Sequence, residues 1–97
     1  MKFNEAYYRL DQFFSGYFPD ADFDNLTDEE VVANYIDDCS KSKTSMLDLA
    51  QTKIEIELLI SEIEIYWEEV MDSANRHFRN SNEALNWLKM IKIELNK

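Results

Sequence analysis

One glycine and one proline in 97 residues leave this chain almost without turn-formers, and that shortage constrains its fold more than any other feature. A β-sandwich or barrel of this size needs a chain reversal roughly every 8 to 12 residues, built largely on those two residue types. A fold of helices joined by short polar connections needs far fewer. The length admits one domain, and folding a chain of this size removes roughly 65% of its extended surface from water, enough for one modest core. The expected architecture is therefore all-α, a single-domain bundle of about five helices spanning residues 1–97.

The apolar spacing locates the helices. Phe3, Ala6, Tyr7, Leu10, Phe13 and Phe14 recur at steps of three and four, and Gly16 follows where a left-handed C-terminal cap would sit, so a helix is expected from about Asn4 to Ser15. Pro19, Asn25 and the alternate aspartates Asp20, Asp22 and Asp24 then read as an ordered loop pinned by Tyr17, Phe18 and Phe23. Thr27-Asp28-Glu29-Glu30 is a capping box, opening a helix from Asp28 to about Asp38 that buries Val31, Val32, Tyr35 and Ile36.

A third helix begins near Thr44. The stretch Ile54 to Leu58 alternates like a strand, but Ile56, Leu59, Ile60, Ile63, Trp67, Val70, Met71 and Ala74 keep helical spacing, and helix is the better reading. Unbroken from Thr44 to Arg76 it would be about 50 Å long, against a radius of gyration of about 12.5 Å for a domain of this size. A break is required, and the second capping box, Ser61-Glu62-Ile63-Glu64, is the place for it, with a fourth helix running to about His77. Asn80-Ser81-Asn82 caps a last helix bearing Ala84, Leu85, Trp87, Leu88, Ile91 and Leu95.

Twenty acidic residues against ten Lys and Arg give a net charge of −10, which repels a phosphate backbone or an anionic membrane and favours a basic partner. The charge is local. Residues 1–38 hold ten acids and two bases, and residues 55–72 hold seven acids and none, whereas the stretch 39–54 and the C-terminal 25 residues are slightly basic. The lone Cys39 cannot form an intramolecular disulfide, and no apolar run reaches a signal-peptide core or a membrane span; a cytoplasmic location is expected.

No catalytic, metal or cofactor site is expected. Asp20, Asp22 and Asp24 match positions one, three and five of a calcium loop, but Asn25 stands where glycine is needed and Val31 where a bidentate Glu is needed. His77, the only histidine, and Cys39 have no partners at zinc or nucleophilic spacing. Glu62, Glu64, Glu68 and Glu69 lack the Glu-x-x-His of a di-metal bundle and read as a solvated face. The acidic surface remains, and acids interleaved with aromatics suit recognition of a basic protein. The candidate contact residues are Tyr17, Phe18, Asp20, Asp22, Phe23 and Asp24, followed by Asp37 and Asp38, whose charge is uncompensated at a helix C-terminus.

Leu10-Asp11-Gln12-Phe13-Phe14-Ser15-Gly16-Tyr17-Phe18 with Asp22, the helix start from Thr27 to Val32, Glu57-Leu58-Leu59 with Ser61-Glu62, and the late Trp87-Leu88 together resemble immunity proteins of bacterial contact-dependent growth inhibition systems. The similarity spans nearly the whole chain, and its motifs are structural. Where that family has a His-Gln-Asp-Trp-like stretch after Tyr-Phe, this chain has Pro19-Asp20-Ala21-Asp22-Phe23. The resemblance implies a small helical cytoplasmic protein that binds the C-terminal toxin domain delivered by a neighbouring cell, often a nuclease, as a monomer in a 1:1 complex. Toxin-contacting residues vary with the toxin, so none is carried over. The alternative is an acidic helical adaptor with no toxin partner.

Overall fold

The computed structural model describes all 97 residues, 78% of them helical, with no strand. In chain order the helices are α1 (Phe3–Ala6), α2 (Tyr8–Ala21), α3 (Asp28–Cys39), α4 (Lys43–Ser61), α5 (Ile63–Ala74) and α6 (Ser81–Leu95). The all-α single-domain expectation holds, with six helices where the sequence suggests five. None is long and apolar enough to cross a membrane.

The sixth element comes from a break at Tyr7, whose backbone leaves the helical region (φ −132°, ψ 58°). Its ring packs inward against Phe3 and Tyr66, and its hydroxyl donates to Glu62. Restarting the helix at Tyr8 orphans the first backbone amides of α2, and no side chain of Tyr7 can cap them. The buried carboxylate of Glu55, from α4, accepts the Leu10 N–H at 3.0 Å instead. Glu69 of α5 likewise accepts the Phe3 N–H at 2.6 Å. Glu62 and Glu69, grouped in the sequence reading with a solvated face, thus hold the N-terminal segment in place.

The second correction concerns α2, which does not stop at Gly16 but runs to Ala21. Leu10, Phe13, Phe14, Phe18 and Ala21 form one buried line, and the gain from burying Phe18 and Ala21 favours continuing the helix through glycine and proline. Pro19 cannot donate to the Ser15 carbonyl, but Ser15 and Gly16 are exposed, so the lost bond falls on the solvent side of the helix, where it costs least. The left-handed cap expected at Gly16 appears at Asn25 (φ 55°), with the Leu26 N–H returning to the Ala21 carbonyl at 3.1 Å.

The Thr27 capping box forms as read, with Glu30 N–H to Thr27 Oγ1 at 3.2 Å and Thr27 N–H to Glu30 Oε1 at 3.1 Å. The long helix does break beside Ser61, at Glu62 (φ −119°, ψ 15°), but not through a second capping box. Ser61 Oγ donates back to the Leu58 carbonyl at 2.6 Å and caps nothing. α5 ends at Ala74, three residues before His77, on a left-handed Asn75 (φ 53°). The resulting radius of gyration is 12.5 Å.

At the centre, α2 packs against α1, α3, α4 and α5, while α6 lies against α3, α4 and α5. α2 and α6 do not approach each other at the backbone; Phe14 and Phe18 reach across to Trp87 of α6, each with ring centroids 5.2 Å apart. Phe13 stacks on Tyr35 of α3 at 4.0 Å, joining the second pair of helices.

Candidate partner-binding site

The end of α2, the connection after it and α3 enclose an open groove of about 380 Å³. α2 contributes Gly16, Tyr17, Asp20 and Ala21, the connection contributes Asp24 and Leu26, and α3 contributes Val31, Asn34, Asp37 and Asp38. Helical periodicity explains the set: residues four apart on α2 and three or four apart on α3 share a face. Two acidic segments kept separate in the sequence reading, Asp20 with Asp24 and Asp37 with Asp38, therefore line one concavity. Asp20 and Asp24 are exposed and make no ion pair.

Asp37 and Asp38 are not uncompensated, as the sequence suggests. Lys41 Nζ stands 3.9 Å from Asp37 and 3.6 Å from Asp38, the i+4 and i+3 spacing that was legible in the chain. These exposed pairs are weak. Tyr17 is half-buried, and its hydroxyl donates to Asp38 Oδ2 at 2.6 Å. Burial, then that hydrogen bond and the charge of Asp38, push its phenol far above the ordinary range, so it stays a donor.

The remaining candidates separate. Phe18 is wholly buried and is a core residue, not a contact. Phe23, on the α2–α3 connection, is 92% exposed, the most exposed aromatic in the molecule. Asp22 faces away from the groove: its carboxylate accepts from Asn75 Nδ2 at 3.0 Å and from Arg76 Nη1 at 3.2 Å.

Arg76 is the structural centre that the sequence reading missed. Its side chain is only 16% exposed, and it lies over the Phe18 ring at 5.1 Å. It donates to Asp28 Oδ1 at 2.6 Å, and Trp87 Nε1 donates to Asp28 Oδ2 at 2.7 Å. Burial alone would lower the Arg76 pKa, but the hydrogen bond and charge of Asp28, with Asp22 behind, outweigh it and raise it. These contacts tie the α5–α6 connection to the start of α3 and to α6 over sequence separations of 48 and 59 residues, beyond any local signal.

No group of three or more His, Cys, Asp or Glu side chains is placed to hold a metal ion. Asp20 lies within α2 and Asp22 on Arg76, so the aspartates do not form a calcium loop. Cys39 is buried at the end of α3, where desolvation raises its pKa and disfavours a reactive thiolate. A shallower depression of about 370 Å³ beside α1 gathers Asp11, Glu69 and Asp72, but Asp11 and Glu69 already accept from Ser73 Oγ and the Phe3 N–H.

The chain matches no family model, no curated protein and no solved structure.

Proposed function

We propose that this chain is an immunity protein of the contact-dependent growth inhibition type, binding a basic toxin domain of nuclease (RNase-type) activity through the α2–α3 groove. The observation that carries the reading is the convergence of Asp20, Asp24, Asp37 and Asp38 on one concavity beside an exposed Phe23, with only Lys41 opposing them. A nuclease cleft is lined with cations that hold phosphates, so a rigid array of carboxylates can occupy the phosphates' positions. An aromatic at the edge adds buried area that charge alone does not. In this reading the chain acts in the cytoplasm, stoichiometrically rather than as an enzyme, without cofactor, metal, nucleic acid or membrane.

The test is association kinetics with the toxin domain encoded directly upstream. Asp20→Lys with Asp24→Lys should slow association at least about tenfold, and the wild-type on-rate should fall steeply as salt rises. Phe23→Ala should instead accelerate dissociation. Unchanged on-rate and affinity in the double variant would remove the groove as the interface, and the absence of any upstream toxin gene would favour the adaptor reading.

A further inference from the structure

α1 is joined to the bundle differently from the other helices. It lies only against α2 and α5, and its backbone bonds, from Glu5 and Ala6 N–H to the Lys2 carbonyl and from Tyr7 N–H to the Phe3 carbonyl, stay within the segment. Two hydrogen bonds tie residues 1–6 to other helices: Phe3 N–H donates to Glu69 Oε2 at 2.6 Å, and the Tyr66 hydroxyl donates to the Met1 carbonyl at a long 3.4 Å. One large side chain, the buried Phe3, seats the segment, its ring centroid 6.3 Å from those of Phe14 on α2 and Tyr66 on α5.

The bundle beyond this segment is complete without it. α2 restarts at Tyr8 and carries its own cap, the Glu55 carboxylate on the Leu10 N–H, with Gln51 Nε2 holding the other Glu55 oxygen at 3.0 Å. Losing α1 therefore orphans no amide of α2. Tyr7, between the two helices, is pinned by its side chain: the hydroxyl donates to Glu62, and the ring stands edge-on to Tyr66 with centroids 5.4 Å apart. Its backbone torsions can change while the ring stays seated.

We propose that residues 1–6 form a hinged strap that opens as one unit about Tyr7 while α2 to α6 stay folded. Phe3 is its plug and Glu69 its latch. Both residues line the depression of about 370 Å³ beside α1, so opening lifts the plug from Phe14 and Tyr66 and extends that depression into a deeper concavity. The two rings form its floor, and Asp11, Glu69 and Asp72 stand at its edge. The closed strap hides this floor. It shares no residue with the α2–α3 groove, so the inference stands or falls independently of the proposed function.

Native-state hydrogen exchange of the 97-residue chain, followed in low guanidinium chloride, tests the strap. The Phe3, Ala6 and Tyr7 amides should share one opening, at least about 100-fold more populated than the global unfolding reported by the Leu88 and Ile91 amides of α6. Its denaturant dependence should be a fraction of the global slope but not zero, because Phe3 becomes exposed. The Leu10 amide should not share that opening. Asp28→Asn, which touches no strap residue, should speed exchange at Leu88 and Ile91 about tenfold and leave the strap amides unchanged. Glu69→Gln should speed the strap amides about fivefold, since a neutral acceptor replaces a charged one. Exchange graded residue by residue without denaturant dependence would reduce the strap to local fraying and overturn the proposal. A slope equal to that of Leu88, a Leu10 amide that opens with the strap, or strap exchange indifferent to Glu69→Gln would each overturn it as well.

Discussion

Replacing Arg76 by Met tests whether the Arg76–Asp28–Trp87 cluster holds the bundle together. Methionine keeps apolar contact with Phe18 but removes the guanidinium, leaving the Asp28 carboxylate, 22% exposed, with Trp87 Nε1 as its remaining side-chain donor. Breaking a fully buried ion pair costs about 3–5 kcal/mol. Asp28 retains some water and one donor, so about 2 kcal/mol is the appropriate share. The Asp22 arm, with that carboxylate 48% exposed, adds no more than about 0.5 kcal/mol, and loss of the cation over Phe18 adds a similar amount. The total of about 3 kcal/mol corresponds to a fall in Tm of roughly 10–20 °C for a domain of this size. Urea unfolding should show a lower midpoint at unchanged slope. Asp28→Asn should cost about 1–2 kcal/mol, and the double variant should be less destabilised than the sum by at least about 1 kcal/mol, because the two residues share one interaction. Additive costs, or a loss under about 0.5 kcal/mol for Arg76→Met, would refute the assignment.

Alkaline pH should unfold the chain through its phenols. Burial, foremost, pushes Tyr35 up to about 12 and raises Tyr7 and Tyr17 further, the latter two with hydrogen bonds to Glu62 and Asp38. These phenols stay protonated in the fold when an unfolded chain, with pKa about 10, has lost its protons. Their stabilisation is complete below about pH 10 and is lost as pH rises through the folded values; phenolate absorbance should therefore appear together with loss of helix, and its appearance in a still-folded chain would contradict the burial argument. Gly16→Ala should raise stability by about 0.5–1 kcal/mol, since Gly16 lies inside α2 without positive φ and a β-carbon there meets nothing within 4 Å; a loss on thermal unfolding would show that the residue does serve as a helix terminator.

The parts of the fold legible in the sequence were those fixed by local chemistry. The Thr27 and Asn80 caps, the Asp28 to Cys39 helix and the helical reading of Ile54 to Ile60 all rest on contacts within a few residues. The break at Ser61 was placed correctly through the size of the domain, although the mechanism inferred for it was wrong. What could not be read depends on partners distant in the chain. Tyr7 breaks the first helix because Tyr66 and Glu62 receive it, and α2 tolerates that break because Glu55 supplies the missing cap. Gly16 and Pro19 signalled a stop that tertiary burial of Phe18 and Ala21 overrode.

The extension of α2 also decides which acids are free to meet a partner. If residues 20 to 24 were loop, Asp20, Asp22 and Asp24 would be equivalent candidates. Carried on the helix and its first turn beyond, Asp22 is rotated by roughly 200° from Asp20, whereas Asp24 returns to within roughly 40° of it. Asp22 therefore meets Arg76 while Asp20 and Asp24 share the groove with α3. The same sorting applies across the molecule: Asp28 is held by Arg76 and Trp87, Glu55 and Glu69 accept backbone amides, and Glu62 accepts the Tyr7 hydroxyl. Much of the acidic excess thus has a structural use, and its sign says little by itself about a partner. Asp20 and Asp24 have no such use. Their charges face one another's field and that of Asp37 and Asp38 across a concavity, an arrangement unfavourable to the isolated chain that an incoming cationic surface would relieve.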